Sequence, residues 1–249
     1  MNSVRTYANK IQLSQQAADL VVLAANHAIE ARGQFTLALA GGSTPRPCYE
    51  LLAQFPRRDH VDWSRTQVFF GDERSVPADH PDSNYRMACE ALLDHVALPA
   101  PNIHRMRAEA VGSMALQRAA LDYQAEIASA FECEPTGLPP ALDLILLGIG
   151  DDGHTASIFP ETLDSCRGPQ WIHSSRNTAL QQDRLTFTLP LINAAHHVVF
   201  MVAGQGKATV MKRILEEDGF SPPYPAALVQ PSHGRLTFLL DEEAASLLE

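Results

Sequence analysis

The densest run of reactive side chains is residues 142–160, LDLILLGIGDDGHTASIFP. Asp151, Asp152 and His154 stand among Gly148, Gly150 and Gly153, directly after an apolar run that only Asp143 interrupts. An imidazole titrates near neutrality and can take a proton from water, while a nearby carboxylate can hold its tautomer. His154 is therefore the candidate general base and Asp152 its partner. The chain has ten histidines, and most histidines are structural or solvated. His196 and His197, opening an apolar stretch, fall in that group. No G-x-S-x-G and no H-E-x-x-H is present, so hydrolysis would use water directly, activated by a base.

Two further stretches have the composition of anion sites. Phe35–Ala40 reads as a strand and runs into Gly41-Gly42-Ser43-Thr44-Pro45-Arg46-Pro47 ahead of a helical segment. Glycines such as Gly42 let the backbone approach a ligand, and Ser43 and Thr44 offer hydroxyls and N–H groups where a helix begins. A capped turn with no ligand is the plainer alternative. Gly204-Gln205-Gly206-Lys207 likewise follows the apolar strand His196–Ala203. A cation in the first turn of a helix opposes the macrodipole, so Lys207 is best explained by an anion in front of it. Asp72, Glu73 and Arg74 follow the strand Thr66–Phe70. Their segment alone leaves a site and a solvated loop equally open.

Other motifs fail on inspection. Gly148-Ile149-Gly150-Asp151-Asp152-Gly153 matches G-x-G-x-x-G, but two aspartates would repel a pyrophosphate and Pro160 cuts any following helix short. Gly206-Lys207 continues into Ala208, so no Walker A loop exists. A dinucleotide cofactor is not expected.

These residues need a scaffold. The buried run before Gly148 predicts a strand covered on both faces, as in a parallel sheet. Ligands of open α/β sheets bind beyond the carboxyl ends of such strands. Ser14 is the expected cap of a helix reaching Arg32, with Gly33 past its end. Asp82 or Ser83 caps a helix with Tyr85, Ala88, Leu92 and Val96 on its apolar face, and Gly112–Phe131 forms another. Asn102–Met106, Trp171–Ser175, Arg184–Thr188, Ala226–Gln230 and Leu236–Leu240 are expected strands. The helix after Lys207 should stop at Gly219, and Asp241–Leu248 should be a closing helix.

Composition bounds the function. The 249 residues suit one large α/β domain or two small ones, and no linker or repeat divides them. A net charge of −10 argues against nucleic acid or an anionic membrane surface as partner. An anionic substrate would need a local cationic pocket. No apolar run reaches the roughly 18 residues of a membrane span, and the N-terminus has no signal-peptide character. Four scattered cysteines without a C-x-x-C fit a reducing cytoplasm.

Taken together, LALAGGSTPRPCYELL, FFGDERSVPADHPDSNYRMACEALL, LDLILLGIGDDGHTASIFP, AGQGKA and PPYPAALVQP resemble the 6-phosphogluconolactonase family of the wider glucosamine-6-phosphate deaminase-like superfamily. The resemblance covers nearly the whole chain, read as a single domain over residues 1–249. It implies a Rossmann-like α/β fold, a mostly parallel central sheet with helices on both faces. It implies hydrolysis of a small-molecule sugar-phosphate lactone, with no redox cofactor and no required metal. By the same resemblance Ser43, Thr44 and Lys207 would hold the phosphate, and His154 would be the base. Asp72, Arg74 and Asp152 would line the centre, and Arg184 would contact substrate. The rival class is a sugar-phosphate deaminase/isomerase, whose loop resembles GHIAFNEP with an acid before the proline. Here no acid precedes Pro160, but Glu161 follows it. A non-catalytic sugar-phosphate sensor is a third reading; it would need no His154–Asp152 pair.

Overall fold

A computed structural model describes residues 2–110, 112–178, 181–216 and 224–249. The chain runs β1 (Asn2–Tyr7), α1 (Lys10–Arg32), β2 (Phe35–Leu39), α2 (Arg46–Leu52), β3 (Thr66–Phe70), β4 (Asp72–Arg74), α3 (Asn84–Ala91), α4 (Ser113–Ala130), β5 (Leu144–Leu147), β6 (Ile172–Asn177), β7 (Gln182–Phe187), α5 (Leu189–Ala194), β8 (His197–Val202), α6 (Ala208–Leu215) and β9 (Arg235–Asp241). Six strands form a sheet in the order β1-β9-β8-β5-β2-β3, with every pairing parallel. Helices flank it, which makes the α/β class plain. No helix among the described residues is long and apolar enough to cross a membrane.

The interior strands follow from their sequences. All residues of β2 and β5 are buried, as a strand covered on both faces requires. Asp143, the polar break before β5, is a buried tie. Its Oδ2 accepts from Thr36 N and Oγ1 at 2.8 Å, and its Oδ1 accepts from Arg32 Nε at 2.9 Å. The carboxylate thus joins the end of α1 to two central strands. Chain order reverses between β2 and β5, and the carboxyl ends meeting there form the crevice expected of such sheets.

Several local expectations need correction. Asn9, not Ser14, caps α1; its side chain accepts from Gln12 N, and Ser14 is buried inside the helix with its hydroxyl on Lys10 O. The strand β1 was not expected, because NSVRTY is polar and lies at the sheet edge. Ser83 is the cap of α3, but that helix ends at Ala91, before Val96. Asn102–Met106 makes only an isolated bridge, Val68 to Ile103. Pro225–Leu228 is a 3-10 turn rather than a strand, as its leading proline favours. Past β9 the chain forms turns instead of a closing helix. Gly219 lies outside the described residues. The largest omission is a second sheet, β4-β7-β6, antiparallel and three-stranded.

Candidate active site

A cavity of about 490 Å³ opens at the carboxyl ends of β2, β5 and β8, with β4 and β7 closing one side. Gly42, Ser43, Thr44, Asp72, Arg74, His154, Arg184 and Lys207 all line it. Asp152 alone of the candidate residues does not; it stands behind His154.

The turn after β5 is built to hold the imidazole. Gly150 N–H donates to His154 O at 2.9 Å, and Gly153 N–H to Gly150 O at 3.0 Å. A side chain at Gly150 would meet His154 Nδ1 at 2.0 Å, so only glycine lets the ring fold back. Folded back, Nδ1 lies 2.5 Å from Asp152 Oδ1, which also accepts from His154 N at 3.1 Å. This hydrogen bond holds the Asp152 carboxyl below the ordinary carboxylate range. An ionised carboxylate only accepts, so Nδ1 carries the proton, and in the neutral ring Nε2 has the lone pair. Phe159 packs on the ring at 4.9 Å between centroids. No α-helix follows this turn, which removes the dinucleotide reading.

Gly153 takes φ +77° and lies under Tyr224, whose ring a Cβ at that position would meet at 2.0 Å. Ala226 N–H donates to Gly153 O at 3.0 Å. The segment Tyr224–Gln230 therefore braces the turn, a role nothing in its local sequence indicated. Pro222 and Pro223 of the same motif lie outside the described residues.

The Asp72-Glu73-Arg74 triplet is β4, and alternation along a strand divides its roles. Asp72 and Arg74 reach the cavity wall. Asp72 Oδ2 accepts from Ser157 Oγ at 2.6 Å, and Oδ1 from Asn84 Nδ2 at 3.2 Å. Glu73 faces away and is buried. It accepts from Arg74 N, Asn84 N, Tyr85 N and Ser83 Oγ, which fastens α3 to the strand. Burial raises its carboxyl above the ordinary range, against the pull of those donors.

Arg74 and Arg184 pair across the small sheet in direct register. Arg74 donates from Nη1 to Asp82 O at 2.6 Å. Both Nε atoms are buried without a hydrogen-bond partner among the described residues. Arg184 is only 7 % exposed, and burial lowers its pKa from the ordinary guanidinium value while Asp72 opposes that shift. An acidic chain thus has a local cationic wall.

The two turns expected to receive an anion differ. Gly42 has φ +95°, and Lys10 Nζ donates to Ser43 O at 2.9 Å, fixing the first turn from α1. In the other, Gly204 N–H donates to both oxygens of Asp241 at 3.0 Å. Lys207 ends a 3-10 turn, and its Nζ donates to Asp151 Oδ1 at 2.6 Å. The ring of His197 bonds Thr237 Oγ1 at 3.0 Å, and burial pushes its pKa down to about 4. It is structural, as its place at a strand start suggested. Ser157, Asn84 and Tyr224 were missed; each acts through a partner distant in sequence.

The fold and this cavity define an α/β protein with a polar, cationic site at the switch point of its sheet. A family model described as glucosamine-6-phosphate isomerases/6-phosphogluconolactonase matches residues 8–238. A 6-phosphogluconolactonase of Synechocystis sp. is 45% identical over 240 residues, 96% of this chain and 95% of that one. One of Homo sapiens is 39% identical over 220 residues, 88% of this chain and 82% of that one. The structure of 6-phosphogluconolactonase from Trypanosoma brucei is similar at a TM-score of 0.89 with 29% identity, covering 100% of this chain and 99% of that one. The chain belongs to the glucosamine-6-phosphate isomerase/6-phosphogluconolactonase family and stands with its 6-phosphogluconolactonases.

Proposed function

We propose that this protein hydrolyses 6-phosphogluconolactone to 6-phosphogluconate, in the oxidative branch of the pentose phosphate pathway, using water activated by His154. The observation that carries the mechanism is the imidazole held at Nδ1 by Asp152, with Nε2 free at a cationic cavity. Ser43, Thr44 and Lys207 bind the phosphate, and that remote binding orients C1. His154 Nε2 takes a proton from water as the water attacks C1. The tetrahedral oxyanion needs donors. The N–H groups of Gly150 and Gly153 are already engaged within their turn, which favours Arg74 and Arg184 on the cavity wall. As the C1–ring oxygen bond breaks, protonated His154 returns its proton to the leaving oxygen. Asp72, held by Ser157 and Asn84, orients the arginine wall.

The deaminase reading is weaker. Glu161 accepts from Thr178 Oγ1 at 2.8 Å and is not in the cavity wall. A sensor would leave the His154–Asp152 pair without a purpose. We also place the protein in the cytoplasm: Cys48, Cys89, Cys133 and Cys166 are all free thiols. An assay offering fresh 6-phosphogluconolactone beside glucosamine 6-phosphate tests the reaction class. Hydrolysis above the spontaneous rate is expected without NAD(P), and with EDTA present, and no ammonia should appear. Ammonia release without lactone hydrolysis would overturn the proposal.

A further inference from the structure

Lys207 lines the cavity, but its ammonium is already engaged, 2.6 Å from Asp151 Oδ1. Asp151 is not part of the wall. Its side chain is 80 % exposed against 25 % for Lys207, so the carboxylate holds the ammonium from the solvent side, at the rim. The two hydrogen bonds that close the glycine turn leave Asp151 at its tip. Neighbouring Asp152 is committed to His154, so the two adjacent aspartates have separate duties.

We propose that Asp151 is a positioning residue that competes with the substrate's phosphate for Lys207, lowering phosphate affinity below what the lysine alone would give. The inference rests on the reading of Lys207 as a phosphate ligand. A phosphate brought to Lys207 meets a like charge on the same ammonium, which opposes binding. So exposed an ion pair is weak, and an arriving dianion displaces it, leaving the carboxylate to water. The same device favours product departure. Hydrolysis converts an uncharged ester into a carboxylate, so the product is more anionic than the lactone. An ammonium that can return to Asp151 releases it more readily.

Calorimetric titration with 6-phosphogluconate, and with gluconate as the unphosphorylated control, tests this on the wild type, Asp151→Asn, Lys207→Ala and the double variant. Asp151→Asn should bind 6-phosphogluconate roughly two- to fivefold more tightly, the range of an exposed ion pair. The double variant should match Lys207→Ala, since the effect passes through the lysine. Gluconate binding should not change. In turnover, KM for the lactone should fall with no rise in kcat. Unchanged or weaker binding by Asp151→Asn overturns the proposal, as does an equal gain in the Lys207→Ala background. If Lys207→Ala itself leaves 6-phosphogluconate affinity intact, the phosphate reading fails and this inference falls with it. Loss in Lys207→Ala beside no gain in Asp151→Asn overturns this inference alone.

Discussion

The two sheets supply the cavity in different ways. The six-stranded sheet contributes through turns: β2, β5 and β8 end at one rim, and the residues just past them face the cavity. Those turns depend on backbone freedom, with Gly42, Gly153 and Gly204 all at positive φ. The three-stranded sheet contributes through strand faces. Asp72 and Arg74 alternate with Glu73, and Arg184 stands opposite Arg74. Side chains on the turns reach solvent, as Asp151 does; on the strands Asp72 and Arg184 are buried and Arg74 is half-buried. Strand residues are fixed in advance, which suits stabilisation of a charge that exists only in the transition state.

That division can be broken by substitution. The largest effect should come from the turn after β5: His154→Ala is expected to lower kcat by roughly 10²–10⁴, with 6-phosphogluconate affinity nearly kept. A folded variant with near-normal kcat would remove the base from the mechanism. On the small sheet, Arg74→Ala should cost about 10²–10³ in kcat if it stabilises the oxyanion, with the loss in kcat rather than KM. A change confined to KM would reassign Arg74 to ground-state binding. Its neighbour offers the sharper contrast. Glu73→Gln sets an amide NH₂ among N–H donors and should destabilise the fold by about 1–3 kcal/mol. Denaturant unfolding measures that cost, and the kcat of the folded fraction should hold. A kcat loss as large as that of Arg74→Ala would show that the strand's faces are not separate.

The same division explains what could be read from the residues alone. His154, Ser43, Thr44 and Lys207 were legible because each follows a strand and a glycine within a few positions. Asp72 and Arg74 stayed ambiguous because a three-residue strand has too little alternation to reveal its buried face. The opposition of Arg74 and Arg184 depends on cross-strand register, which no local pattern encodes. The core strands and long helices were clear from apolar runs and helical spacing of apolar residues. Ser14 misled because a serine one turn inside a helix can bond back to the main chain, as it does to Lys10, without capping anything. Lys207 was expected to face an anion. The anion present is the chain's own Asp151, and pairing across 56 positions is invisible to spacing.

The smallest effect expected is the most specific, since it isolates one charge behind His154. His154 Nδ1 and Asp152 Oδ1 are 2.5 Å apart, and Asp152 holds its charge to unusually low pH because it accepts that bond. The carboxylate is therefore ionised across the neutral range and enforces protonation at Nδ1. Only the neutral ring can take a proton from water, so activity should fall toward acid pH. In Asp152→Asn that charge is gone, and an amide can donate to Nδ1 as well as accept from it. The kcat plateau should drop, though by less than in His154→Ala, because an amide no longer enforces Nδ1 protonation. Spontaneous lactone opening rises with pH and must be subtracted at each point. An unchanged plateau would mean that the hydrogen bond between Nδ1 and Asp152 does not serve His154 in the reaction.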